Sequence, residues 1–473
     1  MEQNANLVTE EQHLHRSLGT AGNVMLTLSA CGLAMTVFIY VPVVYFVAGT
    51  WSFLATAIGA VVAFAVALVY AEVGTAFPIA GGEYSMISRV LGPGVGFIVF
   101  VIQLSFYVLM LATFSLGAGI QLQSVWHSVD PKVIGLAVFV IAAALAVPDI
   151  KIGRSVTAVL FVLQLAAIAV VSFLGIAHAH SPATRLFHLQ GLAPSGTAMA
   201  FTWSVILVGL TLGFFNLTGF NLVIVFSEET KNPKKRVPRA LLWAVGIIVV
   251  IILVPTAAAL LGAPSLKGLL SNPAPMSYIM SSFGAGSLGT FVNLVVFIAI
   301  VNMQLANVIA FGRVLYSGSR DRAFPAPVNR LFSVLHPRFG TPWVASLFMA
   351  ALGAVAMFSS AITGLVTLTG FITLVFMSLM CLSAIRIRSL RDAPDHYRMP
   401  AWPVIPVAVI AFFVVLATGQ TKHDLIITAC IAAVGVVYYF AYLWPRRDRR
   451  WQLWKPDEST IVSSGPTPGV PTV

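Results

Sequence analysis

The chain has 473 residues, of which 58% are hydrophobic and only 9% are charged, and its formal net charge is +11 at pH 7. Soluble globular proteins carry about 25% charged residues, so this composition excludes an ordinary soluble enzyme. Apolar runs of roughly 20 residues, the length needed to cross a bilayer, recur from Val24 to Trp444. We therefore predict an all-α polytopic membrane protein.

Hydropathy along the chain predicts twelve transmembrane helices. Residues 1–23 then form an N-terminal tail without the basic start and the cleavage site of a signal peptide, so we expect the first span to be retained. Residues 24–444 form the membrane domain, and residues 445–473 form a polar, proline-rich tail that we expect to be largely disordered. The predicted spans lie at about 24–47, 52–77, 95–121, 132–148, 155–177, 200–226, 240–262, 287–312, 342–359, 361–385, 401–418 and 424–444.

Basic residues are distributed unevenly between the two sides of the membrane domain. If the N-terminus is cytoplasmic, 23 of the 27 lysine and arginine residues fall in the tails or in loops that follow even-numbered spans. Such an excess on the cytoplasmic side is the rule for membrane proteins. The charge predicts a multi-pass protein of the cell inner membrane, surrounded by lipid, with both termini cytoplasmic. It gives no reason to expect a nucleic-acid partner.

Two of the predicted spans, the first and the sixth, contain residues that interrupt a helix. Backbone that leaves helical geometry at membrane depth is tolerated only where it is buried in protein or lines a cavity. Paired interruptions of this kind mark the binding sites of transporters, although small residues also let helices pack closely. The residues concerned are Gly32, Thr36 and Pro42 in the first span, and Gly213, Asn216, Thr218, Gly219 and Asn221 in the sixth.

Glu72 is the only acid that we place inside a predicted span. An intramembrane carboxylate can carry a proton or bind an ion, but Glu72 is also near enough to the cytoplasmic end to bond loop backbone or Arg89. All nine histidines fall in loops or tails. We therefore expect no metal site, no cofactor and no enzymatic activity. The scarcity of buried acids favours a neutral or zwitterionic solute.

Three segments give the chain a resemblance to a known family. They are FPIAGGEY at 77–84, GFNLVIVFSEETKNPKKRVPRA at 219–240 and RVLYSGSRDRAFPAPVNRLFSVLHPRFGTP at 313–342. In their order around twelve spans they resemble the amino acid/polyamine/organocation transporters, across nearly the whole chain. The resemblance implies a leucine-transporter-like core of two inverted five-helix repeats, two further helices, and alternating access. It also implies that first-helix amides receive a substrate carboxylate and sixth-helix carbonyls receive an amine.

The resemblance also implies roles for single residues. Phe215 falls at an aromatic gate, and Asn221 matches an asparagine where many other members carry glutamate. Gln164 falls where some relatives carry a fifth-helix lysine tied to proton coupling or to holding the first helix. The family's Gly-Ser-Gly in the first helix corresponds to Met35-Thr36-Val37, or to Thr36-Val37-Phe38. This register predicts a less open first helix, so a substrate without an alpha-carboxylate remains an alternative.

The sequence predicts a secondary transporter, a permease for a small amine-bearing solute, most of all a neutral amino acid. Two alternatives stay open, namely a potassium-like cation importer on the same scaffold and a membrane sensor or scaffold that transports nothing. Twelve spans give no obvious need for an accessory subunit. Glu72 and Gln164 are assigned to coupling or to structure. The predicted substrate-binding residues are Cys31, Gly32, Thr36, Val37, Gly213, Phe214, Phe215, Asn216, Gly219 and Asn221.

Overall fold

The computed structural model describes residues 18–77, 82–148, 154–191, 200–227, 230–272, 274–284, 286–390, 396–447 and 451. Within these residues the chain is helical, and its one β-type pairing is an isolated bridge between Leu18 and Thr230. We number the spans 1 to 12 in chain order. Their helices are Thr20–Ala30 with Leu33–Ala48, Trp51–Ala76, Pro93–Gln123, Pro131–Ala146, Arg154–Ala177, Trp203–Phe215 with Leu222–Val225, Pro233–Gly262, Gly286–Arg320, Trp343–Ser359, Ile362–Ile387, Val404–Thr418 and Lys422–Tyr438.

The lengths of these helices agree with the predicted spans. Seven are long and apolar enough to cross a membrane, and the two halves of span 1 pass the same criteria together despite a bend of 48°. The four remaining predicted spans correspond to shorter apolar helices, at spans 4, 6, 9 and 11. The predicted all-α membrane fold is confirmed.

The connection between spans 2 and 3 folds back along span 3. Its helix, Gly82–Leu91, places Ser88 against Gly96 and Glu83 against Gln103, so it runs antiparallel to the start of span 3. Gln103 is ten residues after Pro93, a rise of about 15 Å along a helix. The start of this short helix therefore lies deep inside the bundle and not at its end.

Part of the predicted C-terminal tail is packed against the bundle. Trp451 is 5% exposed, and its indole N–H donates to the carbonyl of Pro93 at 2.9 Å. Its ring contacts Phe97 and Phe100 of span 3, with centroid distances of 5.2 and 5.5 Å. An aromatic pocket on span 3 therefore buries Trp451. The rest of the tail beyond Arg447 lies outside the described residues.

Small residues allow the closest helix contacts. A side chain at Gly213 of span 6 would begin 2.6 Å from the backbone of Ala55 in span 2. Such close backbone approach is typical of helix packing in membranes. The outer surface is apolar, with Val61, Phe173 and Val355 each at least 70% exposed. A surface of this kind is what helices present to lipid.

Candidate functional site

Span 1 breaks at Cys31 and Gly32. Helix Thr20–Ala30 ends there, and Gly32 has φ = 61°, a conformation that glycine adopts without steric cost. The side chain of Met303 from span 8 occupies the place where a Cβ on Gly32 would lie. The amides of Gly32 and Leu33 find no acceptor among the described residues. The break thus exposes two N–H donors at the start of the second half-helix.

The break lies just before the residues that the sequence register placed at the opening of the first helix. Met35 is helical, and Thr36 begins a wider helical turn, Thr36–Tyr40, in which Thr36 and Val37 are buried. The helix opens at Cys31 and Gly32, which are also among the predicted substrate-binding residues. The match of the family's Gly-Ser-Gly to Met35-Thr36-Val37 or Thr36-Val37-Phe38 stays a prediction.

Span 6 breaks between Phe215 and Leu222. Gly219 has φ = 106°, and its amide donates to the side-chain oxygen of Asn221 at 3.1 Å. Within the described chain, no backbone amide donates to the carbonyls of Asn216, Leu217 and Thr218. This break therefore presents three carbonyl acceptors, where the break in span 1 presents donors.

The two breaks face each other. A Cβ added at Gly219 would lie 2.8 Å from the Sγ atom of Cys31, so only glycine allows this approach. Phe215, the last residue before the break in span 6, contacts Tyr40 of span 1 with ring centroids 5.3 Å apart. Donors from one helix and acceptors from the other therefore lie in one region, with an aromatic pair beside them.

Span 5 holds the second half of span 1. The Oε1 atom of Gln164 accepts from the amide of Ala34 at 3.4 Å, just beyond the break. Gln164 is 6% exposed. The side chain thus contacts the backbone just after the break in span 1, and it carries no titratable proton.

Two predicted residues are not brought to the breaks. Gly213 forms the close contact with span 2 described above, and Phe214 packs against Phe413 of span 11 with ring centroids 5.1 Å apart. Both residues lie at helix interfaces. Asn216 is 2% exposed, and among the described residues both polar atoms of its side chain lack a partner, as do those of the fully buried Gln304 in span 8. Unpartnered buried amides of this kind are available to a bound solute or water.

Glu72 forms an ion pair. Arg388 of span 10 donates from Nε to Oε1 at 2.6 Å and from Nη2 to Oε2 at 2.9 Å, and the amide of Met399 donates to Oε2 at 2.9 Å. The cation is therefore Arg388, whereas the sequence analysis had suggested Arg89. The Glu72 side chain is fully buried and its charge is compensated.

A second buried acid, Glu83, was missed by the sequence analysis. It is 7% exposed, Nδ2 of Asn221 donates to its Oε1 at 2.6 Å, and Nε2 of Gln103 donates to its Oε2 at 2.8 Å. Glu83 lies outside the predicted spans, but the expectation that Glu72 is the one buried carboxylate is wrong. Glu83 follows two glycines in a segment that hydropathy assigns to a loop. The polar residues Gln103 and Tyr107, one turn apart on span 3, were the available signal.

The described part of the chain contains no group of three His, Cys, Asp or Glu side chains that could hold a metal ion. The polar atoms at the breaks are backbone amides, backbone carbonyls and neutral side chains. Such an arrangement can bind a small polar solute by hydrogen bonds.

Comparisons with known proteins agree with this geometry. The family profile described as "Amino acid permease" matches residues 18–442. The branched-chain amino acid permease BcaP of Lactococcus lactis is 26% identical over 414 residues, covering 81% of this chain and 85% of the relative. BcaP of Bacillus subtilis is 24% identical, covering 91% and 94%.

A third relative, the serine/threonine exchanger SteT of Bacillus subtilis, is 25% identical and covers 80% of this chain and 86% of its own length. These relatives are transporters, which confirms the expectation of a permease and not an enzyme. The profile match covers most of the chain and includes both breaks. This chain belongs to the amino acid permease family, within the amino acid/polyamine/organocation transporters.

Proposed function

We propose that the protein is a secondary active permease that moves a neutral amino acid across the membrane by alternating access. The observation that carries this proposal is the meeting of the two breaks, where Gly219 approaches Cys31 and both helices expose backbone polar groups. Interrupted helices at a repeat interface are the usual place where secondary transporters bind substrate.

The backbone groups match the two ends of an amino acid. The amides of Gly32 and Leu33 begin a half-helix, whose N-terminal end favours an anion such as a carboxylate. The carbonyls of Asn216, Leu217 and Thr218 would accept from an ammonium group. Phe215 and Tyr40 would close over the solute from the side.

A neutral side chain on the substrate fits the charges around the breaks. Glu72 is paired with Arg388, and the two oxygens of Glu83 are occupied by amide donors, so neither carboxylate is free for a cationic side chain. The named substrates of the relatives BcaP and SteT, which are branched-chain amino acids, serine and threonine, are of this class. We assign the same class to this chain.

The location follows from the charge distribution. With 23 of 27 basic residues on one side, we propose a multi-pass protein of the cell inner membrane with both termini in the cytoplasm. The substrate is its only proposed small-molecule partner.

The direct test is counterflow in proteoliposomes. Vesicles loaded with an unlabelled neutral amino acid should take up the labelled form transiently, whereas vesicles loaded with rubidium or putrescine should not. Flux of rubidium, a stand-in for potassium, without amino-acid counterflow would replace the proposal by a cation importer. Absence of any flux from monodisperse, folded protein would favour a sensor or scaffold.

A further inference from the structure

Glu83 is the buried charge that the structure leaves without a cation. Its carboxylate lies about 15 Å along span 3 from Pro93, beside Gln103. Among the described residues, no lysine, arginine or histidine lies within ion-pair distance of it. Two side-chain amides and a backbone hydrogen bond of Glu83 itself stabilise the anion, and none of these donors is charged. A lone carboxylate in a low-dielectric interior is costly, so its neutral, protonated form becomes accessible.

The other groups around Glu83 are neutral near pH 7. Tyr70 of span 2 and Tyr107 of span 3 interact with it electrostatically, and Cys381 of span 10 lies near Tyr70. Phenols and thiols are uncharged at neutral pH. Burial raises the pKa of the neighbouring Tyr84 to about 12, so this phenol is also neutral.

Charged groups near this short helix act on Tyr84. Arg89, Arg320 and Asp321 influence the Tyr84 phenol, whose hydroxyl lies 3.3 Å from Ser317 on span 8. The side chains in hydrogen-bond contact with Glu83 are instead those of Asn221 and Gln103. Through Asn221, Glu83 is in direct contact with the break in span 6.

The groups that touch Glu83 favour a proton over a metal ion. Asn221 must point its Nδ2 at Glu83, because its Oδ1 already accepts from the amide of Gly219. Gln103 also points its Nε2 at the carboxylate. A sodium ion requires several oxygen ligands, whereas N–H donors repel it. A proton needs only the carboxylate oxygen.

We propose that Glu83 is a proton-binding site that couples proton movement to solute movement, with Gln103 and Asn221 as its positioning residues. This inference rests on the proposed transport of a neutral amino acid. The proton and the solute cross together, and the proton is released to water when the site opens on the other side.

The binding step rearranges the hydrogen bonds of Gln103. A proton forms an O–H bond at Oε2 of Glu83, and the Gln103 amide turns by half a rotation. Its Oε1 atom, which has no partner now, then accepts from Glu83 and faces the hydroxyl of Tyr107, which lies 2.6 Å from the present Nε2. The Glu83 carboxylate becomes a neutral acid and no covalent bond is broken, while the present hydrogen bonds from Nε2 of Gln103 to Glu83 and Tyr107 are exchanged for bonds to Oε1.

Protonation changes the hold on the break in span 6. Charge-assisted hydrogen bonds are about twice as strong as neutral ones, so the contact between Asn221 and Oε1 weakens when Glu83 becomes neutral. Asn221 also fixes the amide of Gly219, which lies against Cys31. Proton binding at Glu83 therefore weakens the hydrogen bond that holds Asn221. Asn221 in turn fixes Gly219, the residue at which the two broken helices meet.

The test compares two kinds of transport in proteoliposomes. Wild type should accumulate a labelled neutral amino acid when the inside is alkaline, and internal pH should fall as solute enters. Glu83→Gln keeps the shape of the side chain and cannot release a proton. We expect about tenfold less gradient-driven uptake, no solute-dependent pH change, and counterflow at equal pH within about twofold of wild type.

Two further variants serve as controls. Glu83→Asp keeps a carboxylate and should restore part of the gradient-driven uptake. Asp424→Asn, in which a different buried acid at the start of span 12 is removed, should behave as wild type.

Gradient-driven uptake by Glu83→Gln at the wild-type rate would overturn the inference, as would accumulation driven by sodium and not by protons. Absence of counterflow in vesicles with the wild-type protein would instead refute the proposed function, so the two failures are distinguishable. If Glu83→Gln does not fold, absence of a solute-dependent pH change in wild-type vesicles would still overturn the inference.

Discussion

Glu72 and Glu83 are two buried carboxylates with opposite surroundings. Glu72 receives both ends of the Arg388 guanidinium and a backbone amide, and it joins span 2 to span 10 and to the segment that precedes span 11. Glu83 receives two side-chain amides and, among the described residues, no cation, and one of the amides belongs to the break in span 6. One acid therefore has a permanent cation, and the other has neutral partners that can rearrange.

The difference separates a structural role from a transport role. A buried carboxylate that is paired with a cation of the protein is not free to bind a ligand. Removing that cation lowers the stability of the fold. A buried charge without a cation is poised to gain and lose a proton. Substitutions around Glu72 should therefore affect stability, whereas substitutions around Glu83 and the breaks should affect transport.

The largest effect is expected on the Glu72 side. Arg388→Gln leaves a fully buried carboxylate without its cation, and we expect a loss of about 3–5 kcal/mol in the free energy of unfolding. The double variant Glu72→Gln/Arg388→Gln leaves no lone charge and should recover most of that loss. The unfolding midpoints of the two variants in detergent measure the loss and the recovery. A single variant as stable as wild type would contradict the structural role of the pair.

On the other side, Gly219→Ala tests the contact between the breaks. Gly219 and Gly92 have nearly the same φ, 106° and 102°, but a Cβ at Gly219 would lie 2.8 Å from Cys31 whereas at Gly92 it meets open space. Each variant should lose about 1–3 kcal/mol from backbone strain. Only Gly219→Ala should also abolish counterflow, and equal transport in both variants would remove the contact from the site.

Asn221→Leu sharpens the comparison further. Loss of a hydrogen bond to a charged group is worth about 1.5–3 kcal/mol, so we expect roughly tenfold lower uptake with normal membrane insertion. Thr75→Val is the matched variant on the Glu72 side, where the Thr75 hydroxyl accepts from the amide of Tyr397. It should lose about 1 kcal/mol of stability and keep its uptake. Wild-type transport by Asn221→Leu would exclude Asn221 from the transport site.

The smallest effect is expected at Gln164. Its bond to the amide of Ala34 is long at 3.4 Å, so Gln164→Leu should cost about 0.5–1.5 kcal/mol and weaken the apparent affinity for substrate a few-fold. Ser172→Ala on the same span removes a hydroxyl that bonds only its own helix, and it should change neither quantity. Equal affinities in the two variants would show that Gln164 does not position the first break.

Local patterns were sufficient to predict the spans and the break in span 6. Hydropathy identifies each apolar helix, and the cluster around Gly219 and Asn221 is dense enough to be recognised by composition alone. In span 1 the sequence analysis included Cys31 and Gly32 among the site residues, and the helix breaks there. A single glycine in an apolar run gives only a weak local signal.

The two acids show what local patterns cannot give. The partner of Glu72 is 316 residues away in the chain, and Asn221 is 138 residues from Glu83. Glu83 lies in a connection that hydropathy reads as a loop, yet the helix Gly82–Leu91 folds back into the bundle. Contacts between residues so far apart in the chain depend on the packing of several helices. The local periodicity of hydrophobic residues does not predict them.

The most direct test of the site at the two breaks is thermal unfolding of the purified protein with matched ligands. Leucine would be compared with its decarboxylated analogue, which lacks the carboxylate, and with its deaminated analogue, which lacks the amine. A ligand that binds only the folded state raises the unfolding midpoint. The site predicts a rise with leucine and with neither analogue, because the amides after Gly32 and the carbonyls after Phe215 each bind one end. An equal rise with the decarboxylated analogue would contradict carboxylate binding at the break in span 1.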